Sequence, residues 1–278
     1  MKVLIVGGTG TLGTALLRHY YEREEDIICF SRDELKQQNL KKRFPNVNYV
    51  IGDIRDGIHN CDDKIDIIYH VAALKHIDVL EKNIMEAMKT NIQGTVLTAQ
   101  YALDHKIPKM AFSSTDKAVF PINVYGYTKA LSEKYLQQLN KIQETTKFRL
   151  FRWGNVIGSR GSVVETFKRS ILKDRCVYLT HPDMTRFWIR IQDAVKFMVN
   201  ETQSGTRDAI VIPPMKAAKV ENLALAIAEK IGCSSIDIKI TELRPGEKIH
   251  EHITHDKSSE HAEKYTHKEL LDLLEGVV

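Results

Sequence analysis

Short apolar runs and amphipathic stretches alternate regularly through the first half of the chain. Lys2–Val6 is an apolar run of buried-strand type, and Thr11–Arg23 reads as the helix that follows it. Ile27–Ser31 predicts a second strand, Asp33–Arg43 a charged helix, Val47–Ile51 a third strand and Asp66–His70 a fourth. A long helix is expected over Ile84–His105, a fifth strand over Lys109–Ser113, a helix over Val124–Thr145 and a sixth strand over Phe148–Trp153. Such alternation implies an α/β fold, a doubly wound parallel sheet covered on both faces. Ligands then sit outside the carboxyl ends of the strands.

Beyond Gly154 the pattern loosens. Gly154, Gly158 and Gly161 read as a mobile connection, and Val163–Lys173 as a helix. Helices near Asp193–Glu201 and over Val220–Ile231 follow, with strands at Ala209–Ile212 and Ile236–Ile240. These elements predict a small C-terminal lobe over residues 155–278, mainly for substrate, beside a main domain over residues 1–154 to which later segments return. The tail from Glu251, rich in His, Lys and Glu, reads as solvated surface with Leu270–Leu274 a short docking helix.

Composition narrows the classes without choosing among them. A chain of 278 residues that is 43% hydrophobic and 27% charged is of ordinary globular type. The net charge of +4 is dispersed, with no basic block to bind nucleic acid; an anionic small ligand accounts for it equally well. Cys29, Cys61, Cys176 and Cys233 lie far apart without metal-ligand spacing and are expected as reduced thiols. The histidines offer no helical metal pair, so no metal is expected; His250, His252 and His255 read as surface residues. No apolar run approaches the ~20 residues of a membrane span, and Val3–Val6 is too short for a signal segment. These features place the protein in the cytoplasm, off the membrane.

Gly7-Gly-Thr9-Gly10-Thr11-Leu12-Gly13 joins the first strand to the first helix, where a Rossmann phosphate loop belongs. Its glycines permit the tight turn and the approach of a pyrophosphate to the helix terminus. The spacing resembles the extended short-chain dehydrogenase/reductases, which makes the first domain a dinucleotide-binding one. The second strand ends in Ser31-Arg32, a hydroxyl and a guanidinium where NAD enzymes carry an acid. That suits the 2′-phosphate of NADP, with Lys36 nearby, whereas Asp33 one position later keeps NAD open. Asp53-Ile54 is expected at the adenine edge, and Val71-Ala72-Ala73 offers small side chains along the cofactor. Asn91 on the long helix is expected to order backbone or water at the site, and Ser113-Ser114 to border it.

Ser114-Thr115-Asp116-Lys117, followed by Tyr125-Gly-Tyr-Thr-Lys129, carries the chemistry. Tyr125 and Lys129 lie four residues apart, on one face of a helix. An ammonium near a phenol lowers its pKa from about 10, leaving a base for alcohol oxidation. Asp116-Lys117 adds a second acid/base couple that a simple dehydrogenase does not need.

Further motifs are His70-Val-Ala-Ala-Leu-Lys75-His76, Lys89-Thr-Asn91-Ile-Gln-Gly94, Gly154-Asn155-Val-Ile-Gly-Ser-Arg160, Met184-Thr-Arg186-Phe-Trp-Ile189 and Arg244-Pro-Gly-Glu247-Lys-Ile-His-Glu251. Together with the preceding ones they resemble the inverting UDP-N-acetylglucosamine 4,6-dehydratases of bacterial sugar modification, over residues 1 to about 251. The resemblance implies a hydro-lyase on UDP-N-acetylglucosamine with tightly bound, recycled NADP. It also implies a homo-oligomer, a dimer or a larger assembly up to a hexamer, built on the two long helices.

The reaction explains the surplus couple. Oxidation at C4 acidifies the C5 hydrogen, the C6 hydroxyl then leaves, and the stored hydride returns to C6. Tyr125 tuned by Lys129 serves the C4 hydroxyl, Thr115 bonds the C4 oxygen, Lys117 takes the C5 proton and Asp116 protonates the C6 hydroxyl. One proton shared by Asp116 and Lys117 would serve both tasks. Related C5-retaining enzymes carry Glu at the position of Lys117, so the resemblance implies a C5-inverted product, UDP-2-acetamido-2,6-dideoxy-β-L-arabino-hexos-4-ulose. Arg244 is expected on the diphosphate or uridine and Glu247 on the ribose. Lys75, Asn155 and Thr180 resemble substrate contacts, while Val156-Ile157-Gly158-Ser159-Arg160 and Val163 flank cofactor and substrate. Arg186 reads as an ion pair anchoring Phe187-Trp188. A UDP-N-acetylhexosamine 4-epimerase, a C5-retaining dehydratase and a non-catalytic NADP-binding regulator are the rival readings.

Overall fold

A computed structural model describes residues 1–61, 64–204 and 210–278, so the predicted strand Ala209–Ile212 begins outside the described residues. The strands are β1 (Lys2–Val6), β2 (Asp26–Ser31), β3 (Asn48–Ile51), β4 (Ile67–His70), β5 (Lys109–Ser113), β6 (Lys147–Phe151), β7 (Asn155–Ile157), β8 (Cys176–Leu179), β9 (Thr185–Arg190), β10 (Ile210–Val211), β11 (Ala217–Lys219) and β12 (Asp237–Ile240). The helices are α1 (Thr11–Tyr21), α2 (Glu34–Lys41), α3 (Ile77–Leu80), α4 (Ile84–Ala87), α5 (Gly94–Asp104), α6 (Val124–Ile142), α7 (Val163–Asp174), α8 (Ile191–Ser204), α9 (Val220–Lys230) and α10 (His267–Leu273). They form two compact units, Met1–Arg152 with Val195–Ile212, and Trp153–Ala194 with Pro213–Val278.

The first unit is a Rossmann-type doubly wound sheet, as the alternation predicts. Seven strands run in the order β10-β6-β5-β4-β1-β2-β3, and every neighbouring pair is parallel. Val3, Leu4, Ile5 and Val6 are fully buried, as a strand covered on both faces requires. The order reverses direction between β1 and β4, which opens a crevice at the carboxyl ends of those strands. Side chains choose the helix starts there: Asp33 caps α2 through the Lys36 N–H at 2.9 Å, and Asn123 caps α6 through the Gly126 N–H at 2.8 Å.

The long helix expected over Ile84–His105 is wound in three parts: α4, a π-helical turn at Met88–Gln93, and α5. A period-based reading is blind to one wider turn, because apolar spacing changes little across it.

The second unit has its own core. A three-stranded sheet, β11-β9-β7, and a two-stranded parallel pair, β12-β8, pack with α7, α9 and α10 around Val164, Phe167, Trp188, Leu223 and Ile227. Two expectations change here. The stretch after Gly154 is not merely a connection, since β7 pairs with β9 in parallel register. The tail is solvated in part, with most of its His, Lys and Glu residues exposed and the expected short helix docked as α10, but it also supplies core. Leu270, Leu273 and Leu274 belong to the core, and Glu251, Ile253 and Ser259 are buried. Hydrogen bonds make burial of those polar groups affordable: Ser259 Oγ accepts from the Glu251 N–H (2.9 Å) and donates to the Thr185 carbonyl (3.1 Å).

No helix among the described residues is long and apolar enough to cross a membrane, and no group of three or more His, Cys, Asp or Glu side chains there could hold a metal ion.

Candidate active site

The glycine loop closes under the amino end of α1. Gly7 has φ +87°, and a Cβ there would stand 2.6 Å from the Ala72 nitrogen. Only glycine fits, which brings the loop against Ala72, one of the small residues expected along the cofactor. Gly10 N–H donates to the Gly7 carbonyl at 2.9 Å, and Thr11 and Leu12 open the helix while Thr9 is buried. A tight glycine turn that would be filled by any side chain, at the terminus of an 11-residue helix, fits a dinucleotide pyrophosphate.

At the ends of β2 and β3 the predicted adenosine residues gather. Asp33 is engaged as the cap of α2 and in an ion pair with Lys36. The Asp53 carboxylate accepts from Arg55 Nη2 at 2.6 Å and lies 3.4 Å from Arg32 Nη1. Hydrogen bonding to Arg55 holds that carboxyl down at about 2, against the smaller opposing effect of burial. Ile54 is buried in the core of the first unit, so its side chain serves packing.

Asn91, within the π-helical turn, ties three segments together. Its amide accepts from the Leu74 N–H (2.8 Å) and donates to the Leu74 carbonyl (2.9 Å) and to Thr128 Oγ1 (3.0 Å). It fixes the loop carrying Val71, Ala72, Ala73 and Lys75 against α6.

Thr115, Asp116, Lys117, Tyr125 and Lys129 come together at the carboxyl end of β5 and the start of α6. Asp116 begins a 3-10 turn, Asp116–Ala118, and is fully buried. Lys117 Nζ lies 3.0 Å from Asp116 Oδ1, which also accepts from Thr115 Oγ1 at 3.0 Å. Gly126 makes this possible: a Cβ there would sit 2.3 Å from the Lys117 carbonyl, so only glycine lets α6 press against the turn. The Tyr125 phenol is hydrogen-bonded by Thr115 and lies in the field of Lys117.

The phenol's pKa is the main correction to the sequence reading. Burial pushes Tyr125 up to about 12, although Lys117 and the Thr115 hydroxyl pull it down. Lys129 is not among its perturbers. Its Nζ donates to the Ser113 carbonyl at 2.8 Å and stands 4.4 Å over the Phe112 ring. The one-face spacing was sound, but the ammonium is committed to β5.

Burial lowers Lys129 itself to about 7, with Glu133 opposing. Lys129 in the unfolded chain then holds its proton up to about 10.5 while the native one releases it near 7. Its cost to stability is therefore full below pH 7 and relieved as pH rises above it. Urea unfolding at pH 7 and pH 9 should show Lys129→Met gaining stability relative to the parent at pH 7, with the gain shrinking at pH 9. A constant difference would remove the shift.

Sequence reasoning missed the group beneath this cluster. Glu133, one helical turn after Lys129, accepts from Ser114 Oγ (2.6 Å), Arg152 Nε (2.9 Å) and Arg152 Nη2 (2.7 Å). The i,i+4 spacing was a usable signal; the Arg152 pairing was not, because β6 meets α6 only in the fold. His70, held between Thr95 and Thr98, is driven down to about 3 by burial and by Lys129, and stays neutral.

In the second unit, Asn155, Val156 and Ile157 form β7, and Gly158, Ser159 and Arg160 lead to Val163 at the start of α7. Thr180 follows β8, its hydroxyl 3.8 Å from Met184 Sδ. Arg244 and Glu247 share a turn in which the Arg244 N–H donates to Glu247 Oε2 at 3.3 Å. Arg186 does more than the expected ion pair. Buried, it donates to the carbonyls of Thr185 (2.8 Å), Ile249 (2.9 Å) and Lys248 (2.7 Å), with Glu247 at 4.0 Å. That guanidinium ties the 244–251 segment to β9.

Comparison with known proteins gives a consistent result. The family model described as polysaccharide biosynthesis protein matches residues 3–272, further than the motifs alone reached. The inverting UDP-N-acetylglucosamine 4,6-dehydratase of Campylobacter jejuni is 39% identical over 261 residues, covering 90% of this chain and 76% of that protein. A UDP-glucose 4-epimerase of Rickettsia felis is 35% identical over 260 residues, with the same 90% and 76% coverage. Among solved structures, Pen from Bacillus thuringiensis superposes with a TM-score of 0.89 at 29% identity, covering 98% of this chain and 96% of that one.

Proposed function

The chain belongs to the polysaccharide biosynthesis protein family, and on that premise we propose that it is a UDP-N-acetylglucosamine 4,6-dehydratase of the C5-inverting type. The carrying observation is the buried Asp116 carboxylate with Lys117 Nζ at 3.0 Å, beside a tyrosine hydroxyl. An epimerase needs one base at C4; this cluster holds a second couple. Tyr125 accepts the C4 hydroxyl proton, with Thr115 bonded to the C4 oxygen. Lys117 takes the proton from C5 once C4 is a ketone, and Asp116 delivers one to the departing C6 hydroxyl. Their contact lets a single proton pass between the two steps.

NADP is the cofactor this reading assigns. When bound, it accepts the hydride from C4 and supplies one to C6. The glycine loop would hold its pyrophosphate and Ser31, Arg32 and Lys36 its 2′-phosphate, since Asp33 is already occupied as a cap. Arg244 and Glu247 are the proposed ligands of the uridine diphosphate, joined by Lys75, Asn155 and Thr180. The deciding experiment is proton NMR of the product from UDP-N-acetylglucosamine in deuterated water. A new C6 methyl signal with deuterium at C5 and inverted configuration supports the proposal. An axial C4 hydroxyl without dehydration would make the chain an epimerase instead.

Self-association is the assembly this reading assigns, through exposed apolar side chains of the first unit. Val79, Met85, Phe120, Ile122, Tyr127 and Leu131 are all about half exposed, on α3, α4, α6 and the loop before α6. Exposed apolar side chains in that number suit self-association. Light scattering should find a dimer or larger, and Leu131→Lys should reduce its mass. A monomer in the parent would end this part of the reading.

A further inference from the structure

Gln37, a residue outside the dinucleotide motifs, sits at a decisive position in the first unit. It lies on α2, is buried, and points its amide nitrogen at the ends of β2 and β3. That nitrogen lies 2.8 Å from the Val50 carbonyl, 2.9 Å from the Ser31 carbonyl and 3.1 Å from Ser31 Oγ. Two backbone carbonyls can only accept, so they fix the amide with its nitrogen inward. An amide nitrogen can only donate. With two hydrogens for three acceptors, that nitrogen shares one between a carbonyl and Ser31 Oγ, and since it cannot accept, the Ser31 hydrogen must point elsewhere. Among the described residues no other side chain or backbone group bonds that hydroxyl, and Ser31 keeps 8% of its surface exposed.

We infer that Gln37 is a positioning residue for cofactor choice: it orients the Ser31 hydroxyl as an outward donor, matched to the acceptor-only oxygens of a ribose 2′-phosphate. This rests on the NADP reading above and deepens it. A ribose 2′-hydroxyl is best held by a carboxylate that accepts its proton, and the local carboxylate, Asp33, is already bonded to the α2 backbone and to Lys36. Around Ser31 the surface offers instead a hydroxyl donor, the Arg32 guanidinium and the Lys36 ammonium, the last two each about half exposed. All three face an anion favourably. Methionine at position 37 would keep the volume of the side chain and remove its donor, so that nothing on the protein side holds the Ser31 hydrogen outward.

The test is calorimetric and needs no turnover. The full-length chain is titrated with adenosine 2′,5′-bisphosphate and with adenosine 5′-monophosphate, and the ratio of the two dissociation constants is read. The parent should prefer the bisphosphate. Ser31→Ala and Gln37→Met should each lower that preference by about tenfold, the size expected for one charge-assisted hydrogen bond. The double variant should lose no more than either single one, because both remove the same contact. Full preference in Gln37→Met, or losses that multiply in the double variant, would overturn the inference while leaving the NADP reading standing. A parent without preference would overturn both. Ser31→Ala leaves the Gln37 bonds to the two carbonyls intact, so it reports even if Gln37→Met folds poorly.

Discussion

Tyr125→Phe should slow oxidation of the substrate at C4 by about 10²- to 10⁴-fold, the usual worth of a positioned proton acceptor. The expectation has a specific pH signature. In the free protein the phenol is held up at about 12 by burial, so near neutrality only a small fraction is ionised. The rate of cofactor reduction in a single turnover should therefore climb by about tenfold per pH unit from pH 6 to pH 8, as the tyrosinate fraction does. Tyr125→Phe should be slow and flat over the same range. Binding should survive, because the ring remains and only the hydroxyl is lost. A phenylalanine variant that keeps the parent's rate and slope would remove Tyr125 from the first step.

Lys117→Ala should separate the two halves of the reaction. Loss of the amine removes the base for C5, and dehydration should fall by about 10³-fold or more. C4 oxidation should continue, and reduced cofactor should accumulate because nothing discharges it. The first step will not be untouched: Lys117 is one of the two groups pulling the Tyr125 phenol down, so its removal leaves the phenol higher still. Raising the pH should restore much of the oxidation rate and none of the dehydration. Lys117→Arg tests the distinction from the other side, since a guanidinium keeps the charge but does not give up its proton. It should oxidise well and dehydrate poorly. Normal product from either variant, at normal rates, would mean that another group takes the C5 proton.

How much of this was legible in the chain depends on the range of the forces involved. The first unit could be read because its signals are local. Apolar runs mark β1 to β6, the glycine loop sits between a strand and a helix, and Tyr125 and Lys129 share a helix face whatever surrounds them. The second unit resisted because its short strands are defined by partners. Ala217–Lys219 is a strand only because β9 lies beside it, and β7 is three residues long. The tail misled in part for a related reason: most of its His, Lys and Glu residues are exposed as read, yet Ser259 is buried and bonded to Thr185, 74 positions away in sequence. The Tyr125 pKa failed on magnitude. Proximity of Lys129 was predicted from spacing, but the Ser113 carbonyl claims its ammonium and desolvation outweighs the remaining cation. Glu133 and Arg152 were invisible as a pair, although each lies near a motif that was read.

The wide turn at Met88–Gln93 sets the angular phase of everything after it. It lets the Asn91 carbonyl receive both Thr95 Oγ1 (2.7 Å) and Ser132 Oγ (3.1 Å), and α5 then presents Thr95 and Thr98 to His70. Winding the same residues as ordinary α-helix, with no wide turn to absorb the extra one, would swing α5 by about 100° about its axis. Both threonines would leave the imidazole, and the side of α5 that faces the sheet would be exchanged for another. The wide winding here, more than the identity of any one side chain, is what keeps both threonines on the imidazole.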